Sequence, residues 1–199
     1  MRILMVAARC HPFMGGIETH IQEVGPRLTA RGYTVEVLTT DPSGEWPAEE
    51  NVLGMHVRRV PAWPKAHDFY IAPGIFAAIR CGSWDLIHFQ GYGTFVVPIG
   101  LLALATLRRD LPFVLTFHSG GHSSPLRNAV RRTQHALLRP LISRAERLIG
   151  VSDFDADFFR QRRGDARSRP ARCRRPQPDR LDRATGALQG SSSRHRRDA

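Results

Sequence analysis

Lysine is almost missing from this chain of 199 residues: Lys65 is the only one among 29 basic side chains, and the rest are Arg. So strong a preference for Arg points to a GC-rich coding sequence. Cysteine is scarce too. Cys10, Cys81 and Cys173 are odd in number, widely spaced and form no C-x-x-C pair. That pattern excludes a disulfide framework or a zinc knuckle and suits a reducing, cytoplasmic location. Long hydrophobic runs are absent. The longest, Phe95 to Leu107, has 13 residues and contains Pro98, so it is too short to cross a bilayer and reads as a buried helix. The five apolar residues Ile3 to Ala7 are soon followed by Arg9, which is not the layout of a secretion signal. Acidic residues are the last deficit, 18 against 29 basic, for a net charge of +11. Residues 165–199 hold ten Arg and four acidic residues, so +6 of the excess lies there and the body is only mildly basic.

What is present is an alternation of strand and helix signals. Ile3 to Ala7 reads as a strand. Ile17, Ile21, Val24 and Leu28 form a helical stripe that stops at Gly32, with Pro26 predicting a kink or a local break. Val35 to Thr39 is a second strand, Asp41 to Glu50 a polar loop, and Met55 to Val60 a third strand. Further on, Pro73–Arg80, Thr94–Arg109 and Pro125–Arg144 read as helices, the last bent near Pro140. Leu86–Phe89, Phe113–Phe117 and Leu148–Val151 read as strands, and Ser152 is placed to cap a helix over 153–163. This is the pattern of an α/β fold, a Rossmann-like parallel sheet with helices on both faces, over residues 1–163.

Residues 164–199 differ in kind. After Gly164 there is no Val, Ile, Phe, Tyr, Trp, Met or Lys, too little apolar surface to offset ordering entropy, so a disordered basic tail is expected. One reading is a tail that binds nucleic acid or anionic lipid. The other is out-of-frame translation, since GC-rich DNA read in the wrong frame yields Arg, Pro, Ala, Gly and Ser. Composition favours the second, and no specific nucleic-acid partner is expected.

Parallel α/β sheets bind ligands outside the carboxyl ends of their strands. The loops there are ARCHPFMGGIETH, QGYG and HSGGH. Glycine lets backbone N–H groups approach an anion, a helix start adds positive potential, and histidine can donate or move a proton near neutral pH. Together they point to a phosphate-bearing ligand.

The order G-G-x-E-x-H (Gly15, Gly16, Glu18, His20), R-G-Y-x-V-x-V-x-T (Arg31–Thr39), D-L-I-H-F-Q (Asp85–Gln90), T-F-H-S-G (Thr116–Gly120) and V-S (Val151–Ser152) resembles the N-terminal domain of the retaining GT-B glycosyltransferases of family 4. The resemblance implies a transferase that moves a sugar from a nucleotide-diphosphate donor, usually UDP- or GDP-linked, to a sugar or lipid-linked acceptor. It implies no cofactor and no metal. It makes His118 the catalytic residue beside the transferred sugar. Gly15, Gly16, Glu18, His20, Ser119 and Gly120 become the residues that bind donor diphosphate or acceptor. It also admits peripheral contact with the inner face of the membrane. Family members continue into a second domain with an E-x7-E motif, and no such stretch follows here. Most of the nucleotide-binding energy would lie in that half, so no sugar transfer is expected from this chain in isolation. The alternative is a non-catalytic module for a phosphorylated ligand, or one half of a split enzyme with a C-terminal partner.

Taken singly, these residues have plainer readings. Gly15 and Gly16 suit a simple turn, and Glu18 is a favourable charge in a first helical turn. His20 fits a structural contact equally well, and His88, inside a strand, reads as a packed histidine. His118 and His122 have H-x3-H spacing but lack a third ligand, which argues against zinc. Arg127, Arg131, Arg132 and Arg139 form a solvated face or meet anionic lipid.

Overall fold

The computed structural model describes residues 1–64, 71–91, 93–118 and 125–152, with the side chains of 125–132 and 135 excepted. Seven strands form one sheet: β1 (Arg2–Ala7), β2 (Thr34–Asp41), β3 (Glu49–Val52), β4 (Met55–Pro61), β5 (Leu86–Gln90), β6 (Phe113–Phe117) and β7 (Arg147–Gly150). Four helices accompany them: α1 (Gly16–Thr29), α2 (Pro73–Cys81), α3 (Val96–Leu107) and α4 (Pro125–Ile142). The strand order is β3-β4-β2-β1-β5-β6-β7, parallel throughout except for the β3–β4 hairpin.

The chain leaves β1 through α1 to β2 and goes on outward to the β3–β4 hairpin, then crosses back from β4 through α2 to β5 and continues through α3 and α4 to β6 and β7. Right-handed crossovers therefore put α1 on one face and the remaining helices on the opposite face. The packing agrees. Ile21 of α1 is buried with Ile3, Met5, Val35, Val37, Met55 and Val57. On the other face Leu4, Val6, Ile87, Phe89, Leu115 and Phe117 are buried with Ile75 and Ile79 of α2 and with Val97, Leu101 and Leu104 of α3. Ile142 of α4 joins the same cluster. Helices thus cover both faces, as the alternation of elements predicts.

The expected elements are present with shifts of a few residues at their ends, and two local readings are corrected. The polar stretch expected to be a loop through Glu50 gives rise to β3, an edge strand whose Val52 pairs with Met55 of β4. Between them Leu53 (φ 51°) and Gly54 (φ 79°) are both left-handed, the geometry of a two-residue type I′ hairpin. A leucine in that place gives no turn signal. Pro26 does not break α1, which continues to Thr29 and is closed by Ala30 N–H donating to the Pro26 carbonyl. So close to the helix end the proline deprives only the Gln22 carbonyl of its donor. Pro98 sits in the first turn of α3, where its missing N–H has no intrahelical partner to lose. Pro140 lies inside α4, which ends two residues later. The helix expected over 153–163 and the tail 164–199 lie outside the described residues. Among those described, no helix is long and apolar enough to cross a membrane.

Candidate functional site

Because α1 turns toward β2 while β5 lies on the other side of β1, a crevice opens between the carboxyl ends of β1 and β5, the usual ligand position in such sheets. Three chain segments meet there. The loop from Ala8 to Gly15 leads from β1 into α1. Gly91 follows β5, and His118 follows β6.

Gly15 is extended (φ 178°, ψ −179°), a conformation open to any residue. A Cβ there would stand 2.5 Å from Glu18 Oε2, so a side chain at this position would displace the end of the Glu18 carboxylate. Glu18 is itself buried, so its carboxylate folds back onto the start of α1 and complements the positive end of the helix. Gly91 is left-handed (φ 73°), and a Cβ on it would press to 3.0 Å from Ile17 Cδ1. Its N–H donates to the Thr116 carbonyl at 2.8 Å. The end of β5 is thereby held against both α1 and β6.

The α1-side face of β5 and β6 carries His88, Gln90, Thr116 and His118 at alternate positions. His88 Nε2 lies 2.7 Å from Thr116 Oγ1, and Gln90 Nε2 lies 3.1 Å from His88 Nε2 and 3.4 Å from His88 Nδ1. Gln90 Oε1 in turn lies 2.9 Å from His118 Nε2. His20, one turn into α1, sets its ring edge-on to His118 at 5.1 Å and to His88 at 6.4 Å. Gln90 and Thr116 are almost wholly buried and His88 nearly so. Burial, then the neighbouring His20 and His118, push the His88 pKa down to about 4. Burial lowers that of His20 as well. Both rings are therefore neutral at physiological pH.

The loop bearing Gly15 is anchored from outside the crevice. Arg59 of β4 has a buried guanidinium that donates to the His11 carbonyl at 2.6 Å and the Pro47 carbonyl at 3.1 Å, and it pairs with Glu50 of β3. Beyond the anchor lies an aromatic rim. The Phe13 and Trp46 rings meet edge to face at 6.4 Å, with the Arg9 guanidinium 5.7 Å from the centre of Phe13. Trp46 is held by its N–H donating to Asp41 Oδ2 at 2.9 Å. Burial alone would raise the Asp41 pKa, but the Ser43 hydroxyl and the N–H groups of Trp46, Gly44 and Ser43 outweigh it and hold the carboxyl below its ordinary value.

Of the residues predicted from sequence, Gly15, Gly16, Glu18, His20 and His118 are gathered at this end of the sheet. Ser119, Gly120 and His122 lie outside the described residues. His88 is packed, as its place in a strand suggests, yet it belongs to the same cluster. Gln90, Thr116 and Arg59 were missed as members of the site. The available signal was the alternation H-x-Q and T-x-H on strands otherwise apolar, and an Arg on the Met55–Val57 face of β4. Among the described residues, no group of three or more His, Cys, Asp or Glu side chains could hold a metal ion. What the arrangement can do is offer backbone N–H groups at a helix start beside a neutral, hydrogen-bonded histidine cluster.

Known proteins resemble this chain in sequence and in fold. The sequence profile of Glycosyltransferase Family 4 covers residues 14–172. The GDP-mannose:cellobiosyl-diphosphopolyprenol alpha-mannosyltransferase of Xanthomonas oryzae pv. oryzae is 29% identical over 166 residues, covering 80% of this chain and 42% of the relative. A D-inositol 3-phosphate glycosyltransferase of Nocardiopsis dassonvillei is 27% identical over 168 residues, covering 75% of this chain and 38% of the relative. The chain thus spans about two-fifths of the length of these curated relatives. Among solved structures, sucrose-phosphate synthase from Thermosynechococcus elongatus superposes with a TM-score of 0.58 at 19% identity, over 80% of this chain and 44% of that one. That likeness speaks for the fold.

Proposed function

Because the chain belongs to glycosyltransferase family 4, we propose that it is the N-terminal, acceptor-side part of a retaining enzyme that uses a nucleotide-diphosphate sugar. The observation that supports this reading best is the convergence of the Gly15–Gly16 loop, the start of α1 and His118 at the β1/β5 crevice. In sugar transfer the bond from the anomeric carbon to the diphosphate breaks and a bond to an acceptor hydroxyl forms. Negative charge grows on the departing diphosphate, and N–H groups at the start of α1 are suited to receive it, with no metal required. His118 faces the transferred sugar, and Ser119 and Gly120, next in the sequence, join it in binding donor or acceptor. The Arg9–Phe13–Trp46 rim offers an aromatic face and a cation to an acceptor that is a sugar or a lipid-linked sugar diphosphate. The Xanthomonas relative is named for GDP-mannose and a diphosphopolyprenol acceptor, so these are the first substrates to try. A lipid-linked acceptor would bring the protein to the cytoplasmic face of the membrane.

The second half of the enzyme is the crux. Mixing the whole chain with the C-terminal half of the Xanthomonas enzyme should give transfer from GDP-mannose that neither part gives alone. His118→Ala should reduce it by at least about 100-fold. Failure of every such mixture, together with calorimetric binding of a phosphorylated sugar to the chain alone, would favour the second reading, a binding module. That reading draws on the same helix start. We further propose that 164–199 is read out of frame. An E-x7-E domain should then appear in one of the other two frames beyond codon 164, and its absence from both would refute this.

A further inference from the structure

Asp41 closes β2 at the carboxyl edge of the sheet, near the place where dinucleotide-binding sheets keep an acid for a ribose hydroxyl. Here both carboxylate oxygens are taken by the loop that follows. Oδ1 accepts from the Ser43 N–H at 2.8 Å and from the Ser43 hydroxyl at 2.6 Å. Oδ2 accepts from the Trp46 N–H at 2.9 Å. These donors hold the carboxyl below its ordinary range, so it is ionised and accepts on both oxygens at neutral pH.

Trp46 is fixed on its other side as well. The next two carbonyls, Pro47 and Ala48, accept from the Arg59 guanidinium at 3.1 Å and the Arg59 N–H at 2.7 Å. The same guanidinium holds the His11 carbonyl, and the Phe13 N–H donates to the Cys10 carbonyl at 3.1 Å. Two separate loops are thus fastened so that the Phe13 and Trp46 rings meet edge to face, with Phe13 two residues ahead of Gly15. The core does not call for this arrangement. Trp46 stays 40% exposed while Asp41, which holds it, is 7% exposed, so a buried carboxylate is committed to an indole that lies outside the core. We infer that Asp41 is a positioning residue that holds Trp46 beside Phe13 as a wall for a pyranose ring of the acceptor. The C–H bonds on a pyranose face carry slight positive charge and pack on the negative face of an aromatic ring. A wall fixed beforehand also spares the cost of ordering it on binding. That the sugar is an acceptor rests on the glycosyltransferase reading above, whereas the hold of Asp41 on Trp46 does not.

The test is a titration of the whole chain with cellobiose, followed in the Phe13 ring and Trp46 indole resonances. Both should shift saturably, and the two rings should show cross-relaxation before any sugar is added. Asp41→Asn can serve Ser43 or Trp46 but not both. It should diminish that cross-relaxation and weaken cellobiose binding about tenfold. Trp46→Ala, at an exposed position, should weaken it at least as much. The double variant should be no worse than Trp46→Ala alone, because Asp41 acts through that ring. In a mixture that transfers sugar, Asp41→Asn should raise the acceptor KM about tenfold with kcat unchanged. The inference is overturned if cellobiose leaves both rings unmoved. It is equally overturned if Asp41→Asn, in a chain whose amide spectrum shows it folded, weakens the sugar as much without Trp46 as with it. Sugar transfer with unmoved rings would leave the functional reading standing without the wall. Shifted rings with no transfer in any mixture would sink that reading and keep the wall.

Discussion

The two faces of β5 and β6 are built from alternate residues of the same ten positions, yet they have little in common. Toward α2 and α3 they present Ile87, Phe89, Phe113, Leu115 and Phe117, a continuous apolar layer. Toward α1 they present Leu86, His88, Gln90, Val114 and Thr116, with His118 just beyond, and the polar members are linked by hydrogen bonds. His88, Gln90 and Thr116 are as buried as the apolar layer, so burial alone does not separate scaffold from site. What separates them is how each tolerates loss. An apolar face fails by leaving a cavity, and a polar one by leaving a partner unsatisfied.

The comparison can be broken most forcefully on the apolar side. Phe89→Ala should cost about 3–5 kcal/mol, read as a lowered urea midpoint, because the ring is fully buried against Phe113 and the α3 backbone at Gly100. A loss below about 1 kcal/mol would mean that this face is not the scaffold. Acid tests the polar side. His88 has a folded pKa of about 4 against an ordinary 6.5, so the unfolded chain takes up a proton that the folded chain refuses. The His88 contribution should therefore be level above pH 6.5 and cost roughly 3 kcal/mol as pH drops toward 4, below which Asp41, its carboxyl held under its ordinary value, continues the fall. His20 is shifted in the same direction and adds to the slope. His88→Leu should flatten the profile even if the variant is less stable overall. A smaller effect is expected of Thr116→Val, about 1 kcal/mol, because the His88 ring keeps Gln90 as a partner. Smallest of all is Arg27→Ala on the solvent side of α1. Its pairing with Glu23 is exposed on both partners, and the change should stay under about 0.5 kcal/mol.

The apolar face was the legible one. Runs such as Phe113–Phe117 and the stripe Ile17, Ile21, Val24, Leu28 announce themselves because periodicity is a local property of the chain. The glycines and His118 were legible through their place in ordered loops. Gln90 was not, since a glutamine ending a strand looks like any exposed polar residue until β6 brings His118 beside it. Arg59 was hidden for the same reason: its partners, His11, Pro47 and Glu50, come from three different segments. The strand β3 escaped because Glu49, Glu50 and Asn51 carry no strand propensity of their own, and pairing with β4 overrides that.

Arg59 also sets apart two parts of the molecule in time. The edge strand β3 is short and has a partner on one side only, the kind of element that opens locally long before a domain unfolds. Arg59 sits on β4, which is paired along its length to β2, so loss of β3 takes Glu50 from the guanidinium and leaves its bond to the His11 carbonyl in place. Amide exchange should then be faster in β3 than in β4. The loop that leads to Gly15 is fastened to an interior strand, and the edge can come and go without moving it.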